Sequence, residues 1–510
     1  MLHYDYTIII EVLEVTQDRG LFNLIAEIIA MLKNFGDDFV PDQLTEESED
    51  SLRQSVLELL DLWKKDLEDS AINGLSSASY CAIIDWCRTN ADNFYLLRIL
   101  VCELDARVQL GWEQVVHEDW GAGFESLNEN GGSTDILILP NVPGPQTTYM
   151  RYKNGRDGEG EPVPRKTADE WADNLNSRLN HFFCVRKSEL NGYTVRNYIY
   201  VLPGRNSLPD ELKIGVSPLI NRPFQDILFY EDTIRRKDRQ GNEFQYLGNI
   251  QVKNPDELLD KFRTDYQTSC AQGIHILMYP EMLGVEALYQ EDPYQFNPVI
   301  RGLSRAVDDD KVPKLIIAPS MWKGNRNYVN VYTASGRKLC TQYKQHRYRF
   351  PGKNGPCHED LRGAPKEICL IHVPGWGRIV ILICIDFIYP DYRNLLVSKL
   401  KANLLLCPSF SPGGYNFLLS LDAASEHGAY AVWLNACSAL TKSPSEAPEI
   451  IGAACAPTVS SRSRIRRLHP QCGGNCGSGC LFTVALPLNC MGGSSYEGKH
   501  VTVQHIVSSG

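Results

Sequence analysis

The 510-residue sequence has no run of the ~20 apolar residues that a helix needs to cross a bilayer. Its longest candidate, Leu21 to Leu32, is broken by Asn23 and Glu27, so no membrane span is expected. The opening MLHYDYTIII has neither a basic start nor a small-residue cleavage site, and no secretory signal is expected. Repeats of solenoid length and low-complexity tracts are missing, which excludes repeat arrays. The phosphate-cradling G-x-x-x-x-G-K, the zinc-binding H-E-x-x-H and the serine elbow G-x-S-x-G are missing too. Positive charge is also short. Lys and Arg number 51 against 62 Asp and Glu, a net charge of −11, and a general nucleic-acid binder needs the opposite balance to neutralise phosphates.

What is present reads as a folded protein: 43% of residues are hydrophobic and 22% charged, near the globular average. At about 100–200 residues per domain, the length argues for two to four domains. The 16 cysteines are spread from Cys81 to Cys490 in a long chain, a usage that fits reduced thiols and a cytoplasmic location better than a disulfide framework. Charge is uneven: Met1 to Glu118 holds 23 acidic and 8 basic residues, leaving 39 acidic and 43 basic for the remainder.

From Thr7 to about Leu110, apolar residues recur three and four apart in LFNLIAEIIAMLKNF, SLRQSVLELLDLWKKDL and NFYLLRILVCEL, which predicts three to five packed helices. The acidic run Glu46, Glu47, Glu49, Asp50 lies where carboxylates favour the positive end of a helix dipole. Gly, Pro and Asn then dominate from Gly121 to Lys166, as loop signals. TADEWADNLNSRLNHFF predicts a helix from Thr167, and TVRNYIYVLPG a strand and turn. After Pro209 short β-rich runs alternate with helical patterns: LKIGVS, IHILMY, KLIIAP, YVNVYT, ICLIHV, RIVILIC, NLLLCP, AYAVWLN and CLFTVALPL. That texture means a layered α/β domain. The expected organisation is an acidic helical module over 1–118, a mixed α/β connecting region over 119–205, and a large α/β domain over 206–510. A fragment beginning near Asn206 is expected to fold alone.

Three strand ends in the last part finish on chemically capable residues. Glu281 follows IHILMYP, Lys344 lies in TQYKQHRYRF, and Cys384 ends RIVILIC before the helical stretch Tyr392 to Leu400. A cysteine at a strand-to-helix elbow lies near a helix N-terminus, where the dipole favours thiolate. A carboxylate can take the thiol proton, and a lysine can stabilise the oxyanion formed when sulfur attacks a carbonyl carbon.

The ordered set resembles the nitrilase superfamily of carbon–nitrogen hydrolases. ILMYPEMLG is similar to that family's apolar strand ending in Pro-Glu, which implies Glu281 as general base. NVYTASGRKLCTQYKQH is similar to its asparagine-bearing strand, turn glycine and Tyr-x-Lys-x-His, with Asn330, Gly336, Tyr343, Lys344 and His346 in the corresponding places. ICIDFIYPDYRNLL resembles its Cys-x-Asp elbow and implies Cys384 as nucleophile. The resemblance runs roughly from Leu212 to Leu488. It implies an α-β-β-α sandwich that self-associates through its helices, and a Glu-Lys-Cys triad working through a thioester without a cofactor. Cys384-Ile385-Asp386 resembles the amide-hydrolysing branches rather than those acting on nitriles, so the expected substrate is a small-molecule amide. Glu359 is the expected assisting carboxylate and the Ile385 N–H an oxyanion donor. Asp386 and Arg393 are expected to orient the elbow through a salt bridge. The charged insertion RRKDRQGNEF is expected to cover the pocket.

Other motifs are weaker. Cys472, Cys476 and Cys480, with His469 as a fourth group, look like metal ligands, but structural zinc sites usually pair C-x₂₋₄-C with two further ligands, and a metal-free glycine-rich loop is expected. The cluster Arg462, Arg464, Arg466, Arg467 reads as a surface or subunit contact. The rival to catalysis is an interaction protein: a nitrilase-like oligomerisation scaffold or sensor, with residues 1–118 recruiting a partner. Such domains do occur joined to a reverse transcriptase in bacterial defence proteins, but no Tyr-x-Asp-Asp appears in the first 200 residues.

Overall fold

The computed structural model describes residues 46–62, 77–90, 93–107, 136–141, 182–200, 211–237, 243–308, 311–352, 355–441, 448–457, 465–471, 480–488 and 501–507, with Ile25, Ile28, Leu32, Leu179 and Leu202 as single positions. Near the N-terminus three helices are seen: α1 (Glu46–Leu62), α2 (Ser77–Thr89) and α3 (Phe94–Arg107). The acidic run opens α1, as its place before the apolar period predicts. Val56, Leu59 and Leu60 are buried, as are Leu97, Leu100 and Leu104 of α3, and Arg53 meets Glu103 at 2.8 Å between the two helices. Ile25, Ile28 and Leu32 are helical and buried at helical spacing.

The strands are β1 (Ile136–Pro140), β2 (Phe182–Arg186), β3 (Thr194–Ile199), β4 (Glu211–Val216), β5 (Leu228–Lys237), β6 (Glu243–Val252), β7 (Ile276–Met278), β8 (Leu315–Ile317), β9 (Met321–Trp322), β10 (Asn327–Thr333), β11 (Lys338–Tyr343), β12 (Arg349–Gly352), β13 (Gly355–Glu359), β14 (Glu367–Val373), β15 (Gly377–Ile381), β16 (Leu404–Ser409), β17 (Tyr430–Asn435), β18 (Gly452–Cys455), β19 (Arg466–Leu468), β20 (Cys480–Pro487) and β21 (Thr502–Val507). All nine strands expected after Pro209 are among them. One sheet has the order β12-β13-β6-β9-β10-β8-β7-β4-β20-β21, with β5 beside β6 and β11 beside β10. The other has the order β19-β18-β17-β16-β15-β14-β3.

Alternation decides the layers, because successive side chains of a strand point to opposite faces. Ile276 and Met278 of β7, and Leu315 and Ile317 of β8, join a core shared with the second sheet. Leu277 and Ile316, between them, pack instead with Leu258, Phe262 and Tyr266 of α4 (Pro255–Ala271) and Ile300 of α5 (Pro298–Ser304). Beyond the second sheet lie Phe417 and Leu421 of α7 (Tyr415–Glu426), the helix α6 (Ile385–Ile388) coming before it in the chain. The layers are helix, sheet, sheet, helix, the α-β-β-α sandwich that the resemblance implies. Strands buried on both faces read as continuous apolar runs rather than alternating ones, as ILM, LII and LLLC do.

Two expectations change. Thr194–Ile199, assigned by sequence to the connecting region, pairs in parallel with β14 over six residues, and Leu137, Leu139, Phe183 and Val185 of the β1–β2 pair belong to the inter-sheet core. The packed unit therefore extends upstream of 206. The helix expected from Thr167 lies largely outside the described residues, and its last residues, Phe182 and Phe183, are strand. The helical stretch expected over Tyr392 to Leu400 is present, Pro390–Asn394 running directly into a wider turn, Leu395–Lys399; Pro390, which has no N–H to give, separates it from α6. Among the described residues no disulfide is formed and no helix is long and apolar enough to cross a membrane.

Candidate active site

Ligand sites in parallel sheets lie beyond the carboxyl ends of the strands. Strands β4, β7 and β8 run parallel, as do β15, β16 and β17, and the candidate residues gather at those ends. Glu281 leaves β7 through Pro280, and Met282 after it has φ +68°. Cys384 leaves β15 with φ +54° and ψ −111°, a conformation costly for a residue with a Cβ, and its N–H is donated to Pro408 O at 2.8 Å. Lys344 follows β11, and its N–H is donated to Asn327 O at 2.8 Å.

The side chains converge without solvent. Glu281, Lys344 and Glu359 are all within 1% of fully buried. The Lys344 ammonium donates to Glu281 Oε1 and to Glu359 Oε1, both at 2.7 Å. Glu281 also receives the Asn327 amide on Oε1 at 2.8 Å and the Phe410 N–H on Oε2 at 2.9 Å. Asn327 is held in turn by the Ser320 hydroxyl at 2.8 Å, and that oxygen accepts the Met282 N–H at 2.8 Å. Glu359 Oε2 accepts the Tyr348 N–H at 2.9 Å. The loop carrying Phe410 is fixed by Asn435, whose Oδ1 accepts the Ser411 N–H at 2.9 Å.

Electrostatics follow from burial and these partners. Burial alone would lower the pKa of the Lys344 ammonium, but Glu281 and Glu359 outweigh it and hold it well above 10.5. Burial, with Glu281 nearby, lifts Glu359 against the pull of Lys344 to about 7. Burial and then Glu281 push the Cys384 thiol well above 9, with Lys344 and the Phe410 N–H pulling the other way. The thiolate expected from a helix dipole is therefore not the resting form. Helix α6 has four residues, too few to build a macrodipole that offsets desolvation.

Of the residues predicted from sequence, Glu281, Lys344, Cys384 and Glu359 come together. Ile385 follows Cys384, and its N–H has no acceptor among the described residues. Asp386 and Arg393 do not form their expected salt bridge: Asp386 accepts the Gln345 and His346 N–H groups and the His346 ring, while Arg393 donates to Phe387 O at 2.9 Å. Asn330 is not at the site; its amide donates to Glu291 and its Oδ1 accepts from Thr341. Asn327 is: it shares a face with Val329 and Val331 of the inter-sheet core, while Asn330, three positions on, faces the other way. The RRKDRQGNEF insertion belongs to the β5–β6 hairpin, whose second strand pairs with β13 and so supports Glu359; residues 238–242 lie outside the described residues.

Cys472 and Cys476 also lie outside the described residues, as do Arg462 and Arg464. Cys480 contacts His505, Sγ to Nε2 at 3.2 Å, and His469 bonds Glu449 O instead. Among the described residues no three His, Cys, Asp or Glu side chains are grouped to hold a metal ion.

No family model matches the sequence, and no curated protein matches it. Solved structures similar to it include an amidase from Nesterenkonia sp. AN1, seen as a double mutant with acrylamide, at 17% identity and TM-score 0.34, covering 56% of this chain and 94% of that one. The crystal structure of an amidase from Nesterenkonia sp. gives 17% identity, TM-score 0.34 and coverage of 58% and 97%. Nit3 of Saccharomyces cerevisiae, a member of branch 10 of the nitrilase superfamily, gives 12%, 0.35, and 55% and 91%.

Proposed function

We propose that this chain is a carbon–nitrogen hydrolase that cleaves a small-molecule amide through a thioester on Cys384. The observation that carries the reading is the buried contact of Lys344 with both Glu281 and Glu359 beside a cysteine on a strained elbow. Cys384 rests as a thiol, so attack and deprotonation are coupled: as sulfur bonds to the amide carbon, Glu281 takes its proton. The developing oxyanion faces the Lys344 ammonium and the Ile385 N–H. Collapse of the intermediate expels ammonia or an amine, protonated from Glu281. Water then attacks the thioester, giving its proton to Glu281, and the carboxylic acid leaves as Cys384 recovers its proton. Glu359, with Glu281, holds Lys344 in place. Self-association through the helices belongs to the same proposal.

Incubation of the intact protein with a panel of small amides, followed by mass spectrometry of the Cys384 peptide, tests this. An acyl adduct on Cys384 that disappears with time is expected; turnover with no adduct on Cys384, retained in Cys384→Ala, would overturn it.

A further inference from the structure

Lys344 and Cys384 arrive from different sheets, and one carboxylate ties together the segments that carry them. Asp386, two residues after Cys384, is buried. Its Oδ2 accepts the Gln345 N–H at 3.0 Å, and its Oδ1 accepts the His346 N–H at 2.8 Å and the His346 ring through Nδ1 at 2.8 Å. The Asp386 N–H is donated to Ile383 O at 3.2 Å, closing a turn around Cys384 and its φ of +54°. Such backbone persists only where its surroundings over-determine it. The imidazole is fixed in its plane: it stacks on Tyr389 at 4.0 Å and 19°, and meets Tyr392 edge-on at 5.1 Å. Among the described residues, His346 is the one that hydrogen-bonds Asp386 through its side chain; the other bonds come from backbone N–H groups, which any residue but proline supplies.

We infer that His346 is a positioning residue which, through Asp386, sets the separation between the Lys344 ammonium and the Cys384 sulfur and holds the elbow in its strained form. This rests on the proposed role of Cys384. His346 contacts neither the thiol nor the carboxylates of the site; it acts by joining the turn after β11 to the turn after β15. An asparagine at 346 carries an amide nitrogen on Cγ, where the imidazole carries Nδ1, and can donate the same bond, whereas leucine fills space and donates nothing.

Iodoacetamide is the probe, because alkylation needs no identified substrate: sulfur displaces iodide, and the thiol proton passes to base. The rate of adduct formation on the Cys384 peptide of the full chain is followed by mass spectrometry from pH 6 to 9. His346→Leu is expected to slow Cys384 by about 10–100-fold, the scale of an ångström-level misplacement, and to move the pH–rate profile upward as Lys344 withdraws from the sulfur. His346→Asn is expected to recover most of the lost rate, and Cys369 is expected to label alike in all forms. If His346→Leu does not fold, His346→Gln, whose amide lies one methylene farther out, takes its place with the same expectation. Leucine and parent rates that agree, or an asparagine variant as slow as leucine, overturn the inference alone. A parent in which Cys384 labels no faster than Cys369 overturns the nucleophile reading and this inference with it.

Discussion

At the scale of single residues the site is a set of charges that only each other's presence makes tolerable. Removing one partner of a buried pair leaves the other uncompensated, at about 3–5 kcal/mol. Lys344→Met should therefore lower the thermal midpoint as well as slow acylation by the ~10²–10³-fold typical of a lost oxyanion donor. Glu281→Gln keeps its size and can still accept from Asn327, so its loss should be mainly kinetic, about 10²–10⁴-fold in both acylation and thioester hydrolysis. Cys384→Ala should abolish the adduct, and adding Glu281→Gln to it should change nothing further, since groups acting as a unit are not additive. Single-turnover kinetics beside melting curves separates the cases; a Glu281→Gln variant with full rate would remove this residue from the mechanism. These three residues were legible because each sits in a short motif at a strand end. Asn327 was not, because the choice between two asparagines three positions apart depends on which face of β10 looks at the second sheet.

Among the elements, the hairpin of β10 and β11 delivers both Asn327 and Lys344, and its turn tolerates little change. Gly336 has φ +81°, and a Cβ there would lie 2.8 Å from the Arg301 backbone nitrogen. Gly336→Val should cost about 1–3 kcal/mol in backbone strain before the clash is added, read as a lowered denaturation midpoint. Strand β3 makes the second prediction at this scale. A fragment starting at 206 loses the edge strand paired with β14 and the apolar side chains of β1 and β2, and it leaves β14 as an open edge. It should aggregate where a fragment starting before β1 stays monodisperse by light scattering. Equal behaviour of the two would show that β3 is dispensable. The strand itself was legible in TVRNYIYV; its parallel partner, more than 160 residues downstream, was not, since nothing local marks which strand will lie beside it.

For the whole molecule, two buried carboxylates tie stability to pH. Glu359 rises from 4.5 to about 7 and Asp265 from 3.8 to about 6, both chiefly by burial. Between the unfolded and folded values the native state binds more protons, so the stability these groups contribute is full below about pH 4 and is lost as pH rises to about 7, at up to ~1.4 kcal/mol per pH unit per group. Glu359→Gln should flatten the upper part of that decline in melting curves from pH 5 to 8; an unchanged slope would mean Glu359 is charged throughout. Assembly is a separate expectation: sedimentation at micromolar concentration should show a species heavier than the 57.5 kDa chain, and a single species at that mass would count against it.

The sequence by itself determined the layered α/β class and the nine central strands, and it singled out Glu281, Lys344 and Cys384 as candidates, because continuous apolar runs and short motifs are local properties that survive without knowledge of neighbours. Only the tertiary structure decided that Glu359 meets Lys344, that Asp386 binds His346 rather than Arg393, and that burial pushes the Cys384 thiol up. Each of these depends on side chains brought together from distant segments and on the water excluded when they meet. Strand register fixes the first, the approach of two turns from different sheets the second, and desolvation the third, and none of the three is a property of any stretch of chain taken alone.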